Sequence, residues 1–92
     1  MKLSFHSQGW EDYQFWQQND KFILRKLNQL IKDIQRNPFD GIGKPEALSQ
    51  NLSGYWSRRI TQEHRLIYKI IDPEKNGEES EITIAQCRGH YE

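Results

Sequence analysis

The stretch YWSRRITQEHRLIYKII, residues 55–71, decides the fold. Both of its ends are rich in aromatic and branched residues, and the polar link 61–64 lies between them, which predicts a β-hairpin with strands over 55–60 and 65–71. Side chains alternate between the two faces of a strand. Alternation in the second strand assigns Leu66, Tyr68 and Ile70 to one face and Arg65, Ile67 and Lys69 to the other. We expect the apolar set to face the core and the second set to place two cations on the open side.

The positive charges of the chain cluster around this hairpin. Arg58 and Arg59 are adjacent in the first strand and must point to opposite faces, so one of them should join Arg65 on the open side. The net charge is zero, but residues 44–71 carry five Lys and Arg against two Glu, whereas residues 72–81 carry five acidic residues and one Lys. A basic surface of this kind attracts phosphate. The alternative is two solvated faces of opposite sign.

The residues before the hairpin predict a short strand and two helices. Leu3 to Phe5 alternates like a strand, and Ser7 could cap a helix that carries aromatic residues three apart on one face. Asp20 can cap a second helix, which Pro38 would stop. The apolar stripe expected on that second helix consists of Ile23, Leu27, Leu30, Ile31 and Ile34.

The remaining segments complete an α+β domain. Residues 38–54 read as a loop rich in Pro and Gly, residues 72–81 as a long polar loop, and residues 82–87 as a last strand. The order β-α-α-β-β-β predicts an antiparallel sheet with both N-terminal helices packed on one face. The 92 residues are enough for one domain, which we assign to residues 1–92.

Composition excludes several classes of protein. Hydrophobic residues at 35% and charged residues at 28% fit a soluble globular chain and not a disordered one. No apolar run approaches the ~20 residues that cross a bilayer, and the N-terminus lacks the apolar stretch of a signal peptide. Cys87 is the only cysteine, so no internal disulfide can form. These features favour the cytoplasm and no membrane association.

A carboxylate, a histidine and arginines together suit the cleavage of RNA by acid and base catalysis. Glu46 lies in the loop before the hairpin, and His90 and Tyr91 lie at the chain end. A carboxylate can remove the proton of a ribose 2′-hydroxyl, and a histidine can protonate the departing 5′-oxygen. Guanidinium groups can stabilise the negative charge that phosphorus gains. No cofactor or metal is predicted.

Each of these residues could also have a role that involves neither catalysis nor ligand binding. Glu46 could be an ordinary loop carboxylate, Arg65 an ion-pair partner, and the terminal His90 and Tyr91 an inert tail. His64 lies in the predicted turn, where a solvated imidazole is the default. We expect the aromatic residues of the first helix to pack in the core. We also expect Cys87 to be a buried apolar group and not a nucleophile.

Read together, four segments resemble the YoeB/Txe family of RelE-like toxins from bacterial type II toxin–antitoxin systems. They are WEDYQFWQQNDK (10–21), LIKDIQRNPFDG (30–41), GKPEALSQNLSGYWSRRITQEHRLIYKI (43–70) and the terminal HY (90–91). The resemblance covers nearly the whole chain. It implies a microbial-RNase-like sheet flanked by helices and a metal-free endoribonuclease that cuts mRNA in the ribosomal A site and so inhibits translation.

The resemblance also implies roles for individual residues. Glu46 would be the general base, His90 the general acid, and Arg65 the cation that stabilises the transition state, with Tyr91 orienting substrate or acid. Arg59 would be a further phosphate contact. Two lysines, Lys44 and Lys69, are expected to meet RNA. The implied protein partners are a YefM-like antitoxin and a second copy of the chain in a homodimer.

The chain departs from the family pattern at several places. Many relatives have Pro where this chain has Ala47 and Lys where it has Ser49, and the loop 72–81 is longer and more acidic than usual. Glu92 adds a charge after the tyrosine at which relatives commonly end. The alternative function is a ParE-like toxin that acts on DNA gyrase by binding alone; a further alternative is an inactive regulator that binds only antitoxin.

Overall fold

The computed structural model describes residues 1–73 and 77–90. Predictions for Tyr91 and Glu92, and for part of the acidic loop, fall outside these residues. The predicted α+β fold is confirmed. Its elements are β1 Lys2–Phe5, α1 Ser7–Asn19, α2 Lys21–Arg36, β2 Glu46–Ala47, a 3₁₀ turn Gln50–Leu52, β3 Trp56–Arg59, β4 Arg65–Ile71 and β5 Glu81–Gln86.

The two helices form for the local reasons that the sequence indicates, with one exception. The Asp20 side chain accepts hydrogen bonds from the N–H groups of Phe22 and Ile23, at 3.0 and 3.1 Å, and so caps α2. The predicted apolar stripe of α2 is buried throughout. The prediction that Ser7 caps α1 is wrong, because the helix begins at Ser7 itself and His6 occupies the cap position without a side-chain hydrogen bond.

The described strands form one five-stranded sheet in the order β1-β5-β4-β3-β2. The predicted hairpin is present as the antiparallel pair β3–β4, and β5 is antiparallel to β4. Two details go beyond the prediction. β1 pairs with β5 in parallel, since the two helices return the chain to the same end of the sheet. The short strand β2 lies within the predicted loop and pairs antiparallel with β3.

The helices cover one face of this sheet. Leu66 and Tyr68 of β4 and Ile82 and Ile84 of β5 are fully buried against the apolar stripe of α2. Of the aromatic residues on α1 expected in the core, Trp16 is buried and Tyr13 packs against the core, whereas Trp10 is 45% exposed. Neither described helix has the length and apolar character that a membrane-spanning helix needs. The opposite face, here called the open face, carries the polar side chains of the strands, although Ile67 on this face is only 1% exposed.

Candidate active site on the open face of the sheet

The open face carries a cleft of about 320 Å³. Strand pairing builds it, because Glu46 on β2 lies opposite Ser57 on β3, and Arg59 on β3 lies opposite Arg65 on β4. His90 reaches the same cleft from the end of the described chain. Among the described residues, the lining consists of Lys44, Glu46, Ser57, Arg59, Arg65 and His90. Most of the predicted site residues therefore lie around one cavity.

Two further depressions adjoin this cleft and share lining residues with it. The first has a volume of about 280 Å³, is formed by residues 46–52 and shares Glu46. The second, about 800 Å³, is lined by Arg59, Gln62, Glu63, Arg65 and His90. Each of the two depressions shares lining side chains with the cleft, so the three lie next to one another between the 46–52 loop and the β3–β4 turn and are here together called the groove.

The alternation of β3 sends the two adjacent arginines to opposite faces, as predicted. Arg59 is exposed and joins Arg65 at the cleft, whereas Arg58 is fully buried on the covered face. A buried guanidinium has to satisfy its donors within the protein. Arg58 is therefore a structural residue, and Arg59 is the arginine available to a ligand.

Arg58 anchors the loop between α2 and β2, here called the base loop (residues 37–46). Its guanidinium and Nε donate to the Asp33 carboxylate at 2.6 Å, the Tyr68 hydroxyl at 3.1 Å and the carbonyl oxygens of Asn37, Asp40 and Ile42 at 2.5, 2.7 and 3.1 Å. These five bonds use every N–H of the side chain. Because three of the acceptors belong to the base loop, Arg58 fixes the segment that carries Lys44 and Glu46.

The close approach of the base loop to α2 has consequences for charge and for sequence. The hydrogen bond from Arg58 holds the pKa of the Asp33 carboxyl below its usual range, and the bond from the Ile42 N–H acts in the same direction. Gly41 has a φ of +114°, and a Cβ there would collide with the Asp33 carboxylate. Glycine is thus required at this point of contact.

Arg65 is fixed by backbone carbonyls and not by an ion pair. Its Nη1 donates to the carbonyl oxygens of Thr61, Gln62 and His64, at 2.7, 3.1 and 3.2 Å. Within residues 1–73 and 77–90 no carboxylate pairs with it. These neutral acceptors orient the guanidinium without cancelling its charge, so the cation remains available to an anion in the cleft.

The terminal segment, residues 87–90, is held in place and does not fray. The Cys87 N–H donates to Asp12 Oδ2 at 3.0 Å, and the Cys87 carbonyl accepts a hydrogen bond from Trp16 Nε1 at 2.9 Å. Asp12 and Trp16 are both buried on α1, and Gln8 donates to the other carboxylate oxygen of Asp12 at 2.8 Å. Helix α1 therefore fixes the start of the segment.

The β3–β4 turn holds the next part of the terminal segment. The Gly89 carbonyl accepts from the Arg65 N–H at 3.0 Å, and the Gly89 N–H donates to His64 Nδ1 at 2.8 Å. The His64 ring is half-buried and meets the Trp16 ring edge to face, with their centroids 4.7 Å apart. The expectation of a solvated His64 is wrong, because a backbone donor distant in sequence reaches its ring. His90 follows Gly89 directly and lines the cleft.

The structure does not bring every candidate to the cleft. Lys69 shares the open face but lies further along β4, with its ammonium 5.2 Å from the centre of the Tyr55 ring. Tyr91 lies outside the described residues. Cys87 is fully buried, and burial, with a smaller contribution from the charge of Asp12, raises the pKa of its thiol to about 12. The thiol stays protonated near neutral pH, which agrees with the expectation that it is not a nucleophile.

Sequence reasoning missed Ser57, which lines the cleft, and Asp12, which lies outside it and holds the start of the terminal segment. A carboxylate on a helix is usually solvated, and nothing local indicates that it binds a backbone N–H from the other end of the chain. One signal was available: Asp12 lies four residues before Trp16, and such a spacing places both on the same, buried face of α1.

The cleft combines groups that can move protons with groups that bind anions. Among the described residues that line the cleft, Lys44, Arg59 and Arg65 contribute positive charge and Glu46 contributes the one carboxylate. Glu46 and His90 are both exposed, so a ligand can reach each of them. A bound phosphodiester would meet a proton acceptor, a proton donor and fixed cations within one cavity.

Comparison with known proteins agrees with this architecture. The family model described as "YoeB-like toxin of bacterial type II toxin-antitoxin system" matches residues 5–91. Toxin YoeB of Escherichia coli K12 is 53% identical over 91 residues, which cover 99% of this chain and 100% of that protein.

Solved structures are similar at the level of the whole chain. A YoeB/ParE toxin from Agrobacterium tumefaciens superposes with a TM-score of 0.89 at 45% identity, covering 99% of this chain and 100% of the other. YoeB of Staphylococcus aureus is 48% identical, and the match covers 99% of this chain and 98% of the other. The TM-score is 0.85 for its dimer and 0.83 for its heterotetrameric complex with YefM. By family model, sequence and fold, this chain belongs to the YoeB-like toxins of bacterial type II toxin–antitoxin systems.

Proposed function

We propose that this toxin is an endoribonuclease that cuts mRNA in the ribosomal A site in the cytoplasm and thereby stops translation. The observation that carries the proposal is the meeting of Glu46, Arg59, Arg65 and His90 around one cleft, although they come from three different strands and the end of the described chain. A protein that acts by binding alone has no need of a matched acid and base.

The reaction uses this chain's own side chains at each step. Glu46 accepts the proton of the ribose 2′-hydroxyl, and the 2′-oxygen attacks the adjacent phosphorus. Arg65, with Arg59 beside it, stabilises the negative charge on the pentacoordinate phosphate. His90 donates a proton to the departing 5′-oxygen, which leaves a 2′,3′-cyclic phosphate on the upstream fragment. Tyr91 orients the substrate or the acid.

The groove around the cleft suits an extended single strand. It continues on both sides of the cleft, so nucleotides before and after the scissile phosphate would lie along the open face. Lys44 adds a cation at the cleft itself, and Lys69 adds one further along β4. Contacts of this kind hold the phosphate backbone without reading sequence.

The proposed protein partners are a YefM-like antitoxin and a second copy of this toxin. The Staphylococcus aureus relative, which forms a heterotetramer with YefM and a dimer, supports both. A disordered segment with acidic residues can wrap a protein and fold on it, and the excess of cations at the cleft would attract such a segment. Binding there would exclude RNA.

The test is single-turnover cleavage of mRNA held in the A site of purified ribosomes. We expect Glu46→Gln and His90→Gln each to slow cleavage by roughly 10²–10⁴-fold, since each removes one proton transfer. Arg65→Met should slow it by roughly 10²–10³-fold through loss of transition-state stabilisation. All three should bind the same antitoxin as the wild type.

Matched substitutions outside the cleft serve as controls. Glu11→Gln and His6→Gln change the same residue types at exposed positions and should cut at the native rate. Native cleavage by His90→Gln would refute the assignment of the acid. Growth arrest with intact mRNA and trapped gyrase–DNA breaks would refute the RNase proposal in favour of gyrase poisoning.

A further inference from the structure

Gly89, the residue that precedes His90, is bound on both sides by two consecutive residues, the last of the β3–β4 turn and the first of β4. The Gly89 N–H donates to the His64 ring at 2.8 Å, and the Gly89 carbonyl accepts from the Arg65 N–H at 3.0 Å. A residue whose N–H and carbonyl are both fixed cannot rotate freely about its backbone. The direction in which the next side chain, His90, leaves the backbone is therefore set at the turn.

The hydrogen bond to His64 defines the state of its imidazole. A backbone N–H can only donate, so Nδ1 must accept, and a neutral ring then carries its proton on Nε2. Trp16, itself anchored by its bond to the Cys87 carbonyl, packs against the ring and limits its rotation. The acceptor is thus held in place by a buried aromatic residue and does not depend on a mobile surface group.

The hydrogen bonds that close the β3–β4 turn do not use the His64 side chain. The turn is closed by backbone groups, because the N–H groups of Ile60 and Thr61 donate to the His64 carbonyl at 3.0 and 3.2 Å. The His64 N–H in turn donates to Thr61 Oγ1 at 3.2 Å. None of these bonds involves the imidazole. The ring therefore has one polar contact among the described residues, which is to Gly89.

We propose that His64 is a positioning residue, whose ring fixes Gly89 so that His90 faces the cleft beside Arg65. The proposal rests on the proposed role of His90 as the general acid. Without the ring acceptor, Gly89 would keep one hydrogen bond, and its half-buried N–H would lose its partner. A shift of about 1 Å in a catalytic group is enough to cost on the order of 10²-fold in rate.

Two substitutions separate the hydrogen bond from the bulk of the side chain. His64→Asn places an amide oxygen where Nδ1 lies and can still accept from Gly89. His64→Leu retains an apolar side chain against Trp16 but has no acceptor. Amide hydrogen exchange in ¹⁵N-labelled protein, without RNA, measures how well the hydrogen bond to His64 protects the Gly89 N–H. We expect Gly89 to exchange about 10-fold faster in His64→Leu and within about 3-fold of wild type in His64→Asn.

The rate of cleavage at saturating ribosome-bound mRNA measures the effect of this hydrogen bond on catalysis. His64→Leu should be about 10- to 100-fold slower, with an unchanged half-saturating concentration, because acid placement and not RNA binding is affected. His64→Asn should stay within about 5-fold of the native rate. His6→Gln is the histidine control. Should His64→Leu fail to fold, His64→Gln replaces it, since its amide reaches the position of Nε2 and not that of Nδ1.

The outcomes distinguish this proposal from the one on which it rests. Loss of Gly89 protection in His64→Leu with native cleavage, while His90→Gln is inactive, would overturn the positioning role alone. Native cleavage by His90→Gln would refute the assignment of His90 as the general acid, on which the positioning role rests. Equal slowing of His64→Asn and His64→Leu, with Gly89 still protected in the former, would also overturn the positioning role, because the hydrogen bond would then be irrelevant.

Discussion

The base loop and the terminal segment deliver the proposed base and acid to the same cleft, but the protein fixes them in different ways. The base loop is held mainly by one buried side chain, Arg58, whose five donors reach the loop and its neighbours. Single hydrogen bonds from the Tyr68 hydroxyl to the Pro38 carbonyl, from the Ile42 N–H to Asp33 and from the Arg59 N–H to the Gly43 carbonyl add to it. The terminal segment is held through its own backbone, by α1 at Cys87 and by the β3–β4 turn at Gly89.

The difference lies in how many independent contacts carry each segment. The base loop contains no long regular element, so its carbonyl groups need an outside donor, and a single arginine supplies several at once. The terminal segment follows directly from β5, so its anchors are spread over a helix and a turn. We infer that one substitution can release the base loop at a large cost in stability, whereas the terminal segment loosens stepwise and at a small cost.

Arg58→Met gives the largest expected effect on stability. It should lower the free energy of unfolding by about 3–5 kcal/mol, because the Asp33 carboxylate and several loop carbonyl groups lose their partner at once. Urea denaturation at neutral pH measures the change. The matched control is Arg59→Met, which removes the neighbouring arginine on the open face and should alter stability by less than about 0.5 kcal/mol.

The same pair of variants separates structural from catalytic loss. Arg59→Met should fold normally and cut RNA more slowly, since it removes a cation from the cleft. If the midpoints of Arg58→Met and Arg59→Met coincide in urea, the base loop does not depend on the buried arginine and the contrast between the two segments fails.

This contrast also marks the limit of what the sequence predicts. Period-two alternation is a local property, so it placed Arg58 and Arg59 on opposite faces, and the same kind of reasoning found the α2 stripe and the Asp20 cap. It could not say which arginine is buried, because that depends on Asp33 lying opposite β3. The strand at Glu46 was read as loop, since two residues carry too little pattern to reveal a pairing with Ser57.

The terminal segment shows the same limit more sharply. His64 was predicted to be solvated because a turn position indicates nothing about a residue far along the chain, yet its ring binds the Gly89 N–H. The partner of Asp12 is likewise at the other end of the sequence. Local patterns therefore recovered the elements and the residue types of the site, and the contacts that aim those residues had to come from the tertiary structure.

Gly89→Ala should affect activity more than stability. Gly89 has a φ of +79°, which an alanine adopts at a cost of about 1 kcal/mol, and a Cβ there would have no heavy atom of the described residues within 4 Å. We expect the peptide to rotate away from this φ, to weaken both hydrogen bonds to the turn and to misdirect His90. Cleavage should fall by about 10-fold or more while the protein remains folded.

Gly77→Ala is the control for backbone strain. Gly77 has a φ of +90°, and no heavy atom in the described part of the chain lies within 4 Å of a Cβ placed there, but it lies in the loop after the far end of β4. In thermal unfolding, Gly77→Ala should lose about as much stability as Gly89→Ala. It should cleave RNA at the native rate. Equal activity of the two alanine variants would mean that the orientation of the Gly89 peptide does not control the acid.

The smallest expected effect is on the stability of the folded protein at acidic pH, and it arises at the contact between the base loop and Asp33. The pKa of Asp33 is lowered in the folded protein, first by the hydrogen bond from Arg58 and then by that from the Ile42 N–H. A carboxyl whose pKa is depressed on folding stabilises the protein fully above its unfolded pKa of about 3.9, and this contribution disappears as the pH falls through the folded value. The wild type should therefore lose stability below about pH 4.

Asp33→Asn isolates this contribution from that of the other carboxyl groups. At neutral pH the variant should be the less stable protein, because Arg58 keeps a neutral acceptor in place of a charged one. Below about pH 4 its stability should fall less steeply than that of the wild type, so that the two curves of unfolding free energy against pH converge. Parallel curves between pH 7 and pH 2 would show that the ion pair contributes nothing, and that the base loop is held by its carbonyl contacts to Arg58 and by its other hydrogen bonds.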